Sequence, residues 1–384
     1  MTKKIKLAFC LPDMIVGGVE SVFILTLEEL LKHPEYKITV FMQSKLQEAF
    51  YQEWFDKHPQ IQLVTVYPLL LWFARKKTNI FPLENIRKII FSLYKKYRRM
   101  KFSFGDSDVF IDYKNSSFFK ELKHVRKPKI TWCHGSFDFF VQDKQIERLK
   151  YYDKLVVLTD DFKSELLSMY PEVSGKVVRI YNPINVDDVI KKSNVAPSMF
   201  GRYFCVVARL GSPKDLRTVI YAFDDFWKRE GASDVKLVLV GEGPKRKNLM
   251  ELADKLVSKN NIVFVGVQTN PFGYMRDAMA HIFSSKSEGF GMVLMEAAAL
   301  KTLNISSNHK SGAAEILQNG KCGLLFEVGD IISLSHIMSD VYHEKVSIAQ
   351  ITENAFNSLD RFAADKIIGQ ITNLVAEVLS DDRK

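Results

Sequence analysis

The stretch SSKSEGFGMVLMEAAAL, residues 284–300, decides the predicted fold. It follows a short apolar run that is typical of a buried strand. Gly289 and Gly291 bracket Phe290, so the backbone can approach a ligand there without an intervening side chain. From Met292 onward the residues are strong helix formers, and the first amides of such a helix favour an anion such as phosphate. The stretch therefore predicts a strand–turn–helix unit of an α/β fold.

Two carboxylates flank this glycine turn, Glu288 before it and Glu296 in the predicted helix. On spacing alone, an ordinary βα unit with a glycine-rich corner explains the stretch equally well. The pattern Glu-x7-Glu around Gly-Phe-Gly, followed by Glu-Ala-Ala-Ala, resembles the signature of the retaining family 4 glycosyltransferases of GT-B fold. The downstream segment SGAAEILQNGKCGLLF, at 311–326, resembles the next loop of that family.

The family resemblance implies two Rossmann-like domains with parallel sheets that face each other across a cleft. The length agrees, since 384 residues exceed what a single hydrophobic core usually serves. We place an acceptor-side domain at 1–190 and a nucleotide-sugar-binding domain at 198–350. A helical segment at 351–384 is expected to pack back towards the first domain.

The composition is that of an ordinary globular protein, with 47% hydrophobic and 26% charged residues. Its four cysteines are far apart and form no Cys-x-x-Cys pair, which suggests neither a zinc site nor a disulfide framework. The apolar run before Asp13 is too short for a membrane span, and we interpret it as the first strand. These features predict a cytoplasmic protein, with peripheral binding at the inner face of the cell membrane as a further expectation.

The net charge of +9 is concentrated in residues 72–101, which hold ten basic residues against Glu84. Apolar and tyrosine side chains recur through 86–97 at helical spacing, which predicts an amphipathic helix. The helix is either core-packed with a solvated basic face, or a surface that meets anionic lipid headgroups. Nucleic acid is disfavoured as a partner, because no recognisable nucleic-acid-binding module is present.

Arg209 and Lys214, in ARLGSPKD after a predicted strand, are the candidate diphosphate-binding cations. The planar fork of arginine suits two phosphate oxygens, and lysine supplies a compact point charge. Held near a diphosphate, they would neutralise the leaving group as the bond from sugar to oxygen breaks. The spacing Arg-Leu-x-x-x-Lys resembles the diphosphate clamp of the family, with Asp215 where glycine is usual.

The resemblance also implies how the remaining donor contacts are divided. Glu296 would bind the ribose hydroxyls, and Glu288 would lie near the hexose. The amides of Phe290 and Gly291 would cover sugar hydroxyl and phosphate oxygens. Gln268, which follows a predicted strand at 262–265, is the candidate contact to the nucleotide base.

In the first half of the chain, Gly17 and Gly18 follow the first predicted strand and open a helix, where anions bind in α/β sheets. The sequence GGVE resembles the first loop of the family, whose amides approach the donor phosphate or the acceptor. His134, in TWCHGS, follows another strand end, where an imidazole can hydrogen-bond a sugar hydroxyl. A capping glycine pair and a structural histidine are the simpler alternatives.

Together with these residues, the family resemblance implies a retaining hexosyltransferase that uses a nucleoside-diphosphate sugar and a hydroxyl acceptor. The acceptor is expected to be a lipid-linked or surface glycan, as in polysaccharide or lipopolysaccharide biosynthesis. The predicted catalytic residues are His134, Arg209, Lys214 and Glu288. A UDP-sugar is favoured over a GDP- or ADP-sugar as donor, and no cofactor is expected.

No metal is expected either, because the resemblance implies a metal-independent reaction. The Asp-Ser-Asp sequence at 106–108 matches a metal motif of another glycosyltransferase architecture, but it precedes a strand rather than following one. Two alternative functions stay open. One is a GT-B sugar-nucleotide epimerase, and the other is a non-catalytic nucleotide-sugar-binding partner of another transferase.

Overall fold

A computed structural model describes residues 4–15, 17–70, 81–194, 200–309 and 312–382, with the backbone alone at 81–84. The part of the predicted basic segment at 72–80 lies outside the described residues. The chain divides into two compact units, each described by itself. Unit 1 comprises Met1–Val157, Glu165–Ile180 and Ile367–Lys384, and unit 2 comprises Leu158–Ser164 and Tyr181–Lys366.

Unit 1 is built on a seven-stranded parallel sheet of order β3-β2-β1-β4-β5-β6-β7. The strands are β1 Ile5–Leu11, β2 Tyr36–Met42, β3 Gln62–Thr65, β4 Val109–Asp112, β5 Lys129–Trp132, β6 Lys154–Val157 and β7 Val177–Arg179. The helices within it are Gly18–Leu30, Ala49–Lys57, Phe81–Lys101, Phe119–Leu122 and Phe137–Gln142. The strands are mostly apolar and buried, as expected for a parallel sheet covered on both faces.

Unit 2 is built on a six-stranded parallel sheet of order β10-β9-β8-β11-β12-β13. The strands are β8 Arg202–Val207, β9 Val235–Val240, β10 Ile262–Gly266, β11 Ala280–Phe283, β12 Asn304–Ser307 and β13 Leu324–Phe326. The helices within it are Val186–Ser193, Leu216–Glu230, Arg246–Ala253, Phe272–Arg276, Met292–Ala299, Ala313–Ile316, Ile331–Tyr342 and Ile348–Ser358. The helices Asp160–Met169 and Ala364–Asp381 contribute residues to both units.

The helix Leu216–Glu230 shows why the sequence folds this way. Val219, Phe223 and Phe226 lie three to four residues apart, on one face, and are fully buried in the core of unit 2. Gly231 ends the helix in a left-handed conformation with φ of 62°, which glycine adopts without strain. The predicted α/β architecture with two parallel sheets is confirmed.

The strand order of each sheet reverses at one place. In unit 1 the reversal lies between β1 and β4, and in unit 2 it lies between β8 and β11. The crevice outside the carboxyl ends of the strands at such a reversal is where ligands bind in open parallel sheets. A ligand-binding site is therefore expected at the loops after β1, β4, β8 and β11. No helix within the described residues is both long and apolar enough to cross a bilayer.

Candidate functional site

The loop that carries Arg209 and Lys214 leaves β8 at the carboxyl edge of the unit 2 sheet. It is held by the turn after β9. Leu210 donates its backbone N–H to the carbonyl of Glu242 at 2.8 Å, and its own carbonyl accepts the N–H of Lys245 at 2.9 Å. The Arg209 side chain is exposed. The backbone of this loop is therefore fixed while its arginine stays open to solvent.

Two glycines allow the turn after β9 to lie directly against this loop. Gly241 has φ of 137°, and a Cβ there would stand 2.0 Å from the carbonyl oxygen of Ala208. A Cβ on Gly243 would stand 2.5 Å from the carbonyl oxygen of Leu210. Both distances are far below any real contact, so neither position accepts a side chain unless the backbone moves.

We expect Gly241→Ala to lower the melting temperature and to weaken UDP binding. Overpacking and the unfavourable φ together should destabilise the fold by about 3 kcal/mol. Gly211→Ala is the matched control, because a Cβ there would meet only Pro213 Cδ, at 3.8 Å. Thermal unfolding and calorimetric titration with UDP check both variants. Equal melting temperatures for the two variants would contradict the packing argument.

Lys214 and Glu288 form an ion pair where the loops after β8 and β11 meet. Lys214 Nζ also lies 5.3 Å from the ring centroid of Phe283. The Ser285 hydroxyl donates to Glu288 Oε1 at 2.8 Å. About a fifth of each charged side chain is exposed, 23% for Lys214 and 20% for Glu288. The structure thus brings two of the predicted catalytic residues together in a position that solvent reaches.

Asp215 stands where the family resemblance leads one to expect glycine. Its backbone conformation is one that both glycine and aspartate can adopt. Its φ of 44° and ψ of 43° lie in the left-handed region, which glycine prefers and aspartate tolerates better than most residues. Its carboxylate accepts from the Thr218 hydroxyl at 2.9 Å, and Lys286 Nζ lies 3.6 Å away. Asp215 therefore adopts a backbone conformation that glycine would also favour.

The glycine turn after β11 has the predicted form. Gly291, with φ of 107°, precedes the helix Met292–Ala299 and provides no side-chain cap. The Phe290 ring is buried. Its centroid lies 5.7 Å from the ring centroid of Tyr181 and 5.7 Å from that of Phe362. The ring is thus a packing element of unit 2, and the backbone of the turn is the part that remains for a ligand.

Glu296 lies further along the same helix and is half-buried. Burial raises the pKa of its carboxyl to about 7, and the positive charge of Lys192 acts in the opposite direction. The group therefore changes its charge close to neutral pH.

Gln268 follows β10, which is separated from β8 by β9. At about 4.8 Å between neighbouring strands, the end of β10 is roughly 10 Å from the end of β8. Gln268 is half-buried there.

His309 belongs to this edge of unit 2 and was missed by the sequence reasoning. It follows β12, is 3% exposed, and has its ring centroid 5.6 Å from that of Phe283. Burial lowers the pKa of its imidazole, while the charge of Glu288 raises it and that of Lys214 lowers it further. Its position directly after a buried strand was the available signal.

In unit 1, His134 is buried at the end of β5. Burial, together with the positive charge of Lys114, lowers the pKa of His134 to about 3, although a backbone hydrogen bond at Tyr113 opposes the shift. The imidazole is therefore neutral at pH 7. The side-chain oxygen of Asn115 accepts the backbone N–H of His134 at 2.8 Å and fixes the loop.

Lys114 joins two carboxylates beside the predicted Gly17–Gly18 loop, and the sequence reasoning missed this cluster. Lys114 Nζ lies 2.9 Å from Asp13 Oδ1 and 2.8 Å from Glu20 Oε1. Glu20 stands in the first turn of the helix Gly18–Leu30, and a Cβ on Gly17 would come 2.9 Å from its Oε2. A charged residue after a buried strand, as Lys114 is after β4, was the available signal.

Several solved structures resemble this chain over nearly its whole length. A glycosyltransferase from Rickettsia africae aligns with a TM-score of 0.72 at 20% identity, over 98% of this chain and 99% of its own. Anabaena HepE, in complex with UDP and glucose, aligns with a TM-score of 0.74 at 16% identity, over 97% and 99%. These similarities, with the two parallel sheets, define the fold class: the chain has the GT-B fold.

Residues 189–358 match the family described as glycosyl transferases group 1. A curated relative from Campylobacter jejuni is N-acetylgalactosamine-N,N'-diacetylbacillosaminyl-diphospho-undecaprenol 4-alpha-N-acetylgalactosaminyltransferase. It is 28% identical over 210 residues, which are 54% of this chain and 56% of the relative. The chain spans about half the length of the curated relatives it matches. The predicted resemblance to glycosyltransferases is confirmed over this segment, whereas family 4, retention and the roles of individual residues stay predictions.

Proposed function

We propose that the protein transfers a hexosyl unit from a UDP-sugar to a hydroxyl of a lipid-linked or surface glycan, with retention. The observation that carries this proposal is the Lys214–Glu288 pair at the sheet reversal of unit 2, beside the start of the helix Met292–Ala299. A cation, a carboxylate and the free amides of a helix start suit a diphosphate that bears a sugar. The UDP and glucose bound to HepE and the lipid-diphosphate in the name of the Campylobacter relative support the substrate classes.

In this proposal the diphosphate lies against Arg209 and Lys214. As the bond between the anomeric carbon and the phosphate oxygen breaks, negative charge develops on the diphosphate, and fixed cations stabilise it. Glu296 accepts hydrogen bonds from the ribose hydroxyls. Gln268 contacts the base, roughly one nucleoside length from the diphosphate along the strand ends.

Retention follows in this proposal from attack on the face that the leaving group vacates. The acceptor oxygen bonds to the anomeric carbon, the bond from that carbon to the phosphate oxygen breaks, and the acceptor proton passes to a diphosphate oxygen. This route needs no covalent carboxylate nucleophile. Within the described residues no three His, Cys, Asp or Glu side chains are grouped to hold a metal ion, and metal independence stays part of the proposal.

Unit 1 is the proposed acceptor side. Asp13, Glu20 and Lys114 carry two negative charges and one positive charge, so the start of the helix Gly18–Leu30 already has an anion beside it. Such a site suits sugar hydroxyls better than a second phosphate. The neutral imidazole of His134 can donate or accept one hydrogen bond there.

A transfer assay tests the function against both alternatives. The protein is incubated with UDP-glucose, UDP-galactose and their N-acetylated forms, with and without a polyprenyl-diphosphate-linked glycan. Release of UDP together with a heavier glycan in the mass spectrum supports transfer. A donor whose sugar changes configuration without release of UDP supports an epimerase. Tight nucleotide binding without turnover supports a non-catalytic partner, and either of these results overturns the proposal.

The raised pKa of Glu296 predicts a pH dependence of donor binding. The ionised carboxylate accepts two hydrogen bonds from a ribose, and its pKa of about 7 means that protonation competes with binding below neutrality. Affinity for UDP-sugar should therefore fall roughly tenfold between one unit above and one unit below that pKa. A UDP-sugar is the right probe, since the terminal phosphate of UDP itself titrates near pH 6.

Calorimetric titration over this pH range measures the effect. Glu296→Gln cannot ionise, so its affinity should be lower above neutrality and should change little with pH. If this variant kept the slope of the unaltered protein, another group would be responsible for the pH dependence.

A further inference from the structure

The helix Phe81–Lys101 turns its apolar side chains outward. Six of them are between 50% and 70% exposed: Ile86, Ile89, Ile90, Leu93, Tyr97 and Met100. They lie three or four residues apart, so at about 3.6 residues per turn they share one face, here called the apolar stripe. In a globular protein such a face usually packs against the core. The sequence interpretation of a core-packed stripe is therefore wrong for these residues.

A different face of the helix packs on the rest of unit 1. The Tyr94 hydroxyl accepts the backbone N–H of Leu69 at 3.2 Å. Arg98 Nε donates to the carbonyl of Val66 at 3.0 Å. Tyr94 also packs against a buried aromatic cluster of unit 1. These contacts fix the rotation of the helix about its axis, so the outward direction of the stripe is a property of the fold.

Positive charge borders the apolar stripe. Residues 85–101 hold seven lysines and arginines and no acidic residue. Lys88, Lys96 and Lys101 are exposed. On the helix, Lys96 and Lys101 fall on the two sides of the stripe. The partner of this face must therefore offer an apolar interior beside negative groups.

We propose that the helix Phe81–Lys101 docks unit 1 on the surface of an anionic lipid bilayer. In this arrangement the apolar stripe enters the boundary between headgroups and acyl chains, and the flanking lysines meet the lipid phosphates. The stripe runs straight for roughly 21 Å, from Ile86 to Met100, and so fits a plane. A second copy of the chain fits less well, because it would bring the lysines that flank one stripe close to those that flank the other.

Sedimentation with vesicles tests the proposal, and no donor sugar is needed. Vesicles of phosphatidylcholine alone are compared with vesicles of equal parts phosphatidylcholine and phosphatidylglycerol, at low and at high salt. The protein should pellet with the anionic vesicles at low salt and be released by high salt. Failure to pellet at low salt overturns the proposal.

Two variants locate the contact. Ile89→Glu with Leu93→Glu should abolish pelleting, because it places carboxylates in the stripe. Lys96→Gln with Lys101→Gln should weaken binding by roughly fivefold per lysine. The matched control is Val257→Glu with Ile332→Glu, which alters two equally exposed apolar residues of unit 2 and should pellet normally.

Further readouts separate the outcomes. UDP titration and circular dichroism of each variant show whether the fold and the donor site are intact, so a failed membrane contact is distinguished from a failed donor site. If the stripe variant pellets like the control, the helix is not the contact. If the unaltered protein does not pellet with vesicles and is a dimer that the stripe variant converts to a monomer, the apolar stripe binds a second copy of the chain. The proposal is then wrong.

Discussion

Lys214→Ala is expected to lower the rate of donor turnover by roughly 100-fold and to weaken UDP binding. The Lys214 ammonium is held by Glu288 and by the face of the Phe283 ring, so it is in place before the ligand arrives. A fixed cation stabilises the diphosphate most when its negative charge is largest, as the bond to the sugar breaks. The rate should therefore fall by a larger factor than the affinity.

Lys286→Ala provides the matched control for this variant. Lys286 is a neighbouring lysine that lies 3.6 Å from Asp215 and is more than half exposed. Because the ammonium of this pair is exposed to solvent, the pair contributes little, and turnover and affinity should stay within about threefold of the unaltered protein. UDP release and calorimetric titration measure both variants. Equal effects of the two substitutions would place the diphosphate elsewhere and remove the basis of the proposed function.

The proposed donor side could be predicted from sequence because its residues lie in short local units. Arg209 and Lys214 follow β8 within one loop. Glu288 and Glu296 belong to one strand–turn–helix unit, one before its glycine turn and one in its helix. Local propensity and glycine positions suffice to recognise such units. That Lys214 and Glu288 meet depends on β11 pairing with β8 rather than with β10, and this long-range choice is not written in either loop.

The proposed acceptor side in unit 1 was predicted less completely, because its residues come together only through long-range strand pairing. Gly17 and His134 were found from their strand ends, but Lys114 and Glu20 become neighbours only when β1 pairs with β4. The sequence also could not predict whether the apolar stripe faces the core or the solvent. Periodicity shows that Ile86 and Leu93 share a face, but the contacts of Tyr94 and Arg98 decide that this face points outward.

At Asp215 the sequence departs from the family pattern, which has glycine there. The structure shows that the loop still forms a left-handed turn at this position. A missing glycine in a phosphate-binding loop would matter if its absence forced another turn. The φ of 44° shows that Asp215 adopts the left-handed conformation itself. The Thr218 hydroxyl, which donates to its carboxylate at 2.9 Å, ties that side chain to the start of the next helix.

Glu288→Gln is expected to move binding and turnover in opposite directions. In the absence of a ligand, Glu288 pairs with Lys214, and this pairing competes with any diphosphate for the same ammonium. Removing the negative charge frees the lysine and removes a repulsion of the incoming anion, so UDP affinity should rise by about three- to tenfold. Turnover should fall by roughly 100-fold, because the proposed carboxylate contact to the hexose is lost.

The opposite signs distinguish a role at the hexose from a merely structural one. UDP has no hexose, so its titration reports the diphosphate alone, while UDP release from UDP-sugar reports the reacting complex. Glu242→Gln is the control, since Glu242 pairs with Arg246 at 3.0 Å in the adjacent turn and should leave both measurements nearly unchanged. A parallel loss of affinity and turnover in Glu288→Gln would mean that Glu288 merely holds Lys214 in place. Glu288 would then have no contact with the sugar, and the positioning of the hexose would fall to other groups at this edge.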